Sequence, residues 1–149
     1  MYISCLATDY DGTLAQDGVV DDATADALVA FRRSGRRLLL VTGRELPDLL
    51  RVFPRIDLFD RVVAENGALL FEPATKKETA LAPEPSPELV ETLRKKGAPL
   101  SVGRSIVATW EPNEKLVLEP SVNTDLSCKS SSTRERSWCC LPGSTKRAA

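Results

Sequence analysis

The sequence predicts an α/β fold built on a parallel sheet, followed by the start of a smaller α+β unit. Short apolar runs alternate with helical patterns across brief connections through the first half of the chain. Polar residues able to do chemistry stand just past successive apolar runs, at Asp9, Thr42 and Glu65. A proline cluster, Pro83, Pro85 and Pro87, then interrupts the alternation. Strands alternating with helices imply right-handed βαβ units, hence a parallel sheet. A chain of 149 residues with 42% hydrophobic residues can enclose a real core.

Residues 3–8 hold Cys5, Leu6 and Ala7 in a mostly apolar run, read as a buried strand ending at Asp9. Residues 21–33 follow as a helix, capped by Asp21 or Asp22, with Ala23, Ala27, Leu28, Ala30 and Phe31 on one side. Gly35 stops it. Residues 37–42 contain Leu38, Leu39, Leu40 and Val41 in succession, the pattern of a strand buried on both faces. Gly43 turns the chain into a second helix over 46–52. A third strand spans 61–65, and Asn66-Gly67 is a tight-turn signal before a hairpin partner at 68–71.

Beyond the prolines, residues 88–96 read as a helix, 105–110 as a strand and 111–119 as a second helix start. The divisions predicted are 1–82, 83–119 and an aberrant stretch, 120–149.

Composition excludes several function classes. No histidine occurs, which removes Ser-His-Asp and Cys-His catalysis and every histidine-containing zinc site. The four cysteines lack a C-x-x-C pair, so neither a zinc site nor a disulfide framework is indicated. A net charge of −1 points to neither nucleic acid nor a membrane surface. With no signal-like or membrane-length apolar stretch, a soluble cytoplasmic protein is expected.

The chemistry centres on Asp9-Tyr10-Asp11-Gly12-Thr13. Two carboxylates at i and i+2, directly after a strand, can divide the labour of phosphoryl transfer. One attacks phosphorus; the other protonates the leaving oxygen and later activates water. Mg²⁺ is the fitting metal, a hard cation suited to carboxylates and substrate phosphate. A polar turn or a calcium loop is the plainer alternative. A calcium loop needs a third ligand two residues on and Gly at its sixth position, where Thr13 and Leu14 stand instead. Thr42-Gly43-Arg44 follows the second strand and offers a hydroxyl and helix-start N–H groups to a phosphoryl oxygen. By itself it is an ordinary cap.

DYDGT after the first strand, VTGR after the second and ENGA after the third together resemble the haloacid-dehalogenase-like superfamily, in its Cof-type, sucrose-phosphatase-like branch. The resemblance covers residues 1–119. It implies a Rossmann-like core, incomplete here, and the start of an α+β cap. It implies Asp9 as nucleophile, Asp11 as acid–base, and Thr42, with Gly43 and Arg44, at the substrate phosphate. Mg²⁺ would be held by Asp9 and the backbone carbonyl of Asp11, and Glu65 and Asn66 would line the mouth of the site. The implied substrate is a small phosphorylated metabolite such as a sugar phosphate. A phosphomannomutase-like phosphohexose mutase and a non-catalytic phosphate-ligand-binding protein are the alternatives.

The family also has a downstream lysine and an acidic motif that completes the Mg²⁺ shell, and neither follows here. Residues 120–149 carry seven Ser, three Cys and little periodicity, with five Lys/Arg against two Asp/Glu. Read one base earlier from just after Glu119, the codons can encode an apolar continuation ending in a lysine motif, GVNKA. The reading adopted is a one-base frameshift, with residues 120–149 expected to be poorly ordered or poorly packed.

Overall fold

The computed structural model describes residues 4–109 and two later strands, Ser127–Lys129 and Ser137–Cys140. The chain forms two compact units, Met1–Leu81 and Ala82–Ala149.

The first unit is a five-stranded sheet in the order β1 (Cys5–Asp9), β2 (Arg37–Val41), β3 (Arg61–Ala64), β4 (Leu69–Glu72), β5 (Lys77–Ala80). β1, β2 and β3 run parallel; β3, β4 and β5 form an antiparallel meander. The crossovers are α1 (Asp22–Arg33) and α2 (Leu46–Val52). Asp21 is the N-cap of α1, its carboxylate accepting the Thr24 N–H at 2.6 Å.

Leu28 of α1 and Leu46 and Leu49 of α2 share one core with Leu38, Leu40, Val62, Ala64, Leu69 and Phe71 of the sheet. Each large side chain among them contributes about 1.5–3 kcal/mol by leaving water. Phe53 meets the rings of Tyr10 and Phe59 edge-on, at 5.9 and 6.2 Å between centroids.

The structure corrects three expectations about packing. β1 is not buried: among the described residues it pairs with β2 alone, so it is an edge strand, and Cys5, Leu6 and Ala7 are exposed. β2 is buried on one face only. Leu38 and Leu40 are fully enclosed, whereas Leu39 is half-buried and Val41 exposed, because both crossover helices join the core on the same face. On α1, the buried residues are Ala25 and Leu28, while Ala23, Ala27 and Ala30 face water. Alanine marks the phase of a helix weakly, and Leu28 with the half-buried Val29 and Phe31 sets it.

The β3–β4 hairpin forms, but its connection is a short 3₁₀ turn, Glu65–Gly67. Glu65 and Asn66 both adopt left-handed backbone conformations, at φ 53° and 54°.

The second unit holds α3 (Pro87–Lys95) and a four-stranded sheet in the order β6 (Leu100–Val102), β7 (Ile106–Thr109), β9 (Ser137–Cys140), β8 (Ser127–Lys129). All neighbours are antiparallel, which makes this unit α+β. Val90 and Leu93 of α3 pack on Val107, and β7 is buried at every position. The sequence pattern announces neither β5 nor β6. The expected helix start at 111–119 lies outside the described residues.

β8 and β9 fall in the stretch expected to be poorly ordered or poorly packed. The ladders of β9 with β7 and of β8 with β9 are made of backbone N–H and C=O groups, which pair without any side-chain periodicity.

Candidate active site

Register builds the site. Asp9 ends β1 directly opposite Val41, the last residue of β2, and Val41 is in turn opposite Val63. Asp9, Asp11 and the Thr42–Arg44 loop therefore leave the sheet at one carboxyl edge, where open α/β sheets bind ligands. Thr42 is tied down there, its N–H donating to the Val63 carbonyl at 2.9 Å.

The turn after β1 folds back tightly. Leu14 and Ala15 N–H groups both donate to the Tyr10 carbonyl, and Gly12 N–H donates to Ala15, leaving the Asp11 carbonyl outside this ladder. Gly12 sits at φ 74°, a conformation glycine adopts without steric cost. Between the two carboxylates Tyr10 turns inward: its ring is fully buried and its hydroxyl donates to the Gly18 carbonyl at 3.0 Å. Burial pushes the Tyr10 phenol above its ordinary range, against the opposing pull of Arg44. Asp9 is exposed and accepts the Tyr10 N–H at 2.8 Å.

Asp11 meets Arg44 directly. Arg44 Nε lies 3.1 and 2.9 Å from the two Asp11 oxygens, and Nη2 lies 2.7 Å from Oδ1. Nη1 reaches Asp48 at 2.8 Å, and the guanidinium stacks over the Tyr10 ring at 5.3 Å. The hydrogen bonds that Arg44 donates to Asp11, then the Asp11 charge and Asp48 behind it, raise the Arg44 pKa above its usual value although burial opposes this.

Thr42 is buried, and its Oγ1 accepts the Arg44 N–H at 3.1 Å, which leaves its O–H to act as a donor. The β3–β4 turn clamps this loop, Glu65 N–H donating to the Arg44 carbonyl and Asn66 N–H to the Thr42 carbonyl. Gly43 faces Asn66 so closely that a Cβ there would lie 2.8 Å from Asn66 Oδ1. Glu65 is only 1% exposed, whereas Asn66 is open to solvent.

Sequence reasoning missed Tyr10 and Asp48. The signal for Asp48 was its position four residues after Arg44, one helical turn on.

The donors present suit a hard cation. Asp9 offers an exposed carboxylate and Asp11 a carbonyl outside its turn's ladder, whereas the Asp11 carboxylate is already paired with Arg44. Among the described residues no group of three or more acidic, Cys or His side chains converges on a metal position. Mg²⁺ requires no such cage, since it retains waters and binds through one or two protein oxygens plus substrate phosphate.

Fold and site together define a Rossmann-like α/β protein with an acidic pair at the carboxyl edge of its parallel strands. A family profile described as haloacid dehalogenase-like hydrolase matches residues 6–134, beyond position 119 where the motif resemblance ends. The chain belongs to this family.

A phosphoglycolate phosphatase from Metallosphaera sedula is 39% identical over 72 residues, 46% of this chain and 32% of that protein. The chain thus aligns with about a third of that relative's length. Among solved structures, a haloacid dehalogenase-like hydrolase from Bacteroides thetaiotaomicron superposes with a TM-score of 0.72 at 14% identity, covering 95% of this chain and 72% of that one. A HAD subclass IIB sugar phosphatase superposes with a TM-score of 0.64 at 20% identity, covering 94% and 70%. At these identities the likeness speaks for the fold. Among the described residues no helix is long and apolar enough to cross a membrane.

Proposed function

We propose that the protein is a cytoplasmic Mg²⁺-dependent phosphohydrolase acting on a small phosphorylated metabolite, a sugar phosphate or a similarly small phosphoacid, through an aspartyl-phosphate intermediate. The observation that carries this reading is the shared strand edge: β1 and β2 end in register at Asp9 and Val41, so that Asp11 and the Thr42–Arg44 loop meet across it. The phosphatase names of the M. sedula relative and the subclass IIB structure support the substrate class.

Asp9 is the nucleophile, being exposed at the strand end. Its carboxylate oxygen bonds to phosphorus as the bond to the leaving oxygen breaks, and Asp11 delivers the proton that oxygen needs. Water then attacks phosphorus, Asp11 takes the water proton, and the Asp9–phosphorus link breaks to release orthophosphate. Thr42 O–H and the Gly43 N–H are suited to donate to the phosphoryl oxygens. Asp9 and the Asp11 carbonyl would hold Mg²⁺, which when bound offsets the charge between nucleophile and substrate.

Residues 1–82 form the core in this reading, 83–119 open the cap, and 120–149 derive from a shifted frame. The test is orthophosphate release from p-nitrophenyl phosphate with Mg²⁺, by this chain and by its frame-restored counterpart. Turnover is expected in the restored chain, little in this one, and none in either after Asp9→Asn. Retained turnover in the Asp9→Asn protein would refute nucleophilic catalysis there.

A further inference from the structure

We infer that Arg44 is a positioning residue that fixes the Asp11 carboxylate, with Asp48 as its anchor, and that its side chain does not ligate the substrate phosphate. The inference rests on the phosphate-site reading and gives Arg44 a different role within it. A guanidinium has five N–H donors spread around one plane, so its commitments can be read edge by edge. The Nε–Nη2 edge is closed by Asp11, with three contacts between 2.7 and 3.1 Å. The Nη1 end is held by Asp48 at 2.8 Å, and Asp48 is braced from its other oxygen by Arg51 at 2.6 Å. One face of the plane lies over Tyr10. The side chain is 17% exposed.

The backbone of Arg44 is pinned as well. Its N–H donates to Thr42 Oγ1, and its carbonyl accepts the Glu65 N–H. Swinging the guanidinium onto a phosphate would leave the partly buried Asp11 carboxylate, 25% exposed, without its cation and Asp48, 14% exposed, with Arg51 alone. Breaking a buried pair from one side costs more than the pair itself contributes.

Asp11 benefits from such a partner in the step where, as a carboxylate, it takes the water proton. It lies on a loop just before a left-handed glycine, and an acid–base group must stay within hydrogen-bond reach of the reacting oxygen. A bidentate fork sets the plane of a carboxylate, which a lysine point charge does not. The phosphate contacts then fall to Thr42 O–H and the Gly43 backbone N–H.

NMR on the intact chain tests this without requiring turnover. The expected result is a slowly exchanging Arg44 Nε–H whose exchange quickens at least about tenfold in Asp11→Asn, since hydrogen bonds to charged groups contribute about 1.5–3 kcal/mol. Saturating orthophosphate with Mg²⁺ should shift the Thr42 and Gly43 amides and leave the Arg44 Nε–H in place. Arg44→Gln should move the Asp11 Cγ resonance while that of Asp57 stays, and Arg44→Lys should restore it only partially.

If orthophosphate shifts the Arg44 Nε–H as far as the Thr42 amide, Arg44 is a phosphate ligand and the inference fails. It fails equally if Asp11 Cγ is unmoved in Arg44→Gln. Should orthophosphate shift no amide in 9–13 or 42–44, the phosphate-site reading falls. The Asp11→Asn arm then decides the Arg44 inference alone: quickened exchange supports it and unchanged exchange overturns it. Should Arg44→Gln lose its circular-dichroism signature, Arg44→Lys carries the Asp11 Cγ comparison.

Discussion

Asp60 links two strands through side chain and backbone at once. Its Oδ2 accepts the Leu38 N–H at 2.9 Å, its Oδ1 takes Arg37 at 3.0 Å, and its own N–H donates to the Leu38 carbonyl. The Leu38 hydrogen bond, with Arg37 behind it, holds the Asp60 carboxyl below its ordinary pKa although burial opposes this. A carboxylate with a lowered folded-state pKa contributes stability above its unfolded value of about 3.9, and that contribution is lost as pH falls through the folded value. Asp60→Asn should therefore cost about 1–3 kcal/mol at pH 7 by urea unfolding, with the gap closing below about pH 4. Gly43→Ala should cost about 1 kcal/mol or less in the same assay, because the exposed Asn66 side chain can give way. At this scale Asp9, Asp11 and Thr42 were legible, since each stands just past an apolar run and strand ends converge by topology. The Arg44–Asp11 fork spans 33 residues and was not legible, because only the tertiary register brings its ends together. The burial of Glu65 was hidden for a different reason: it sits in a turn of two consecutive left-handed residues that no local pattern announces.

Among elements, β2 carries the core and β1 the exposure. Leu40 is fully buried between its sheet neighbours and the crossover helices, so Leu40→Ala should cost about 2–5 kcal/mol, read as a lowered urea midpoint. Among the described residues β1 presents Cys5, Leu6 and Ala7 on an edge where these residues carry neither the charge nor the proline that ordinarily discourages edge-to-edge pairing. Light scattering should show association rising with concentration, and Ala7→Lys should reduce it; an unchanged profile would mean that this edge is not the adhesive surface. Apolar runs made β1, β2 and β3 legible as strands, but an apolar run alone does not tell how many sides are covered. β5 was illegible because Lys77–Ala80 is exposed throughout and owes its place to the ladder with β4.

For the whole molecule, the family match over residues 6–134 is the frame for the role proposed for Asp9. Phosphoryl transfer relies chiefly on placement and charge, and the placement here rests on the common edge where β1 and β2 end. Its most direct consequence is covalent. Incubation of the frame-restored chain with acetyl phosphate and Mg²⁺, followed by acid quench and peptide mass mapping, should find one phosphoryl group on the peptide containing Asp9, absent without Mg²⁺ and absent from Asp9→Asn. A phosphoryl group that maps elsewhere, or that persists in the Asp9→Asn protein, would contradict the account.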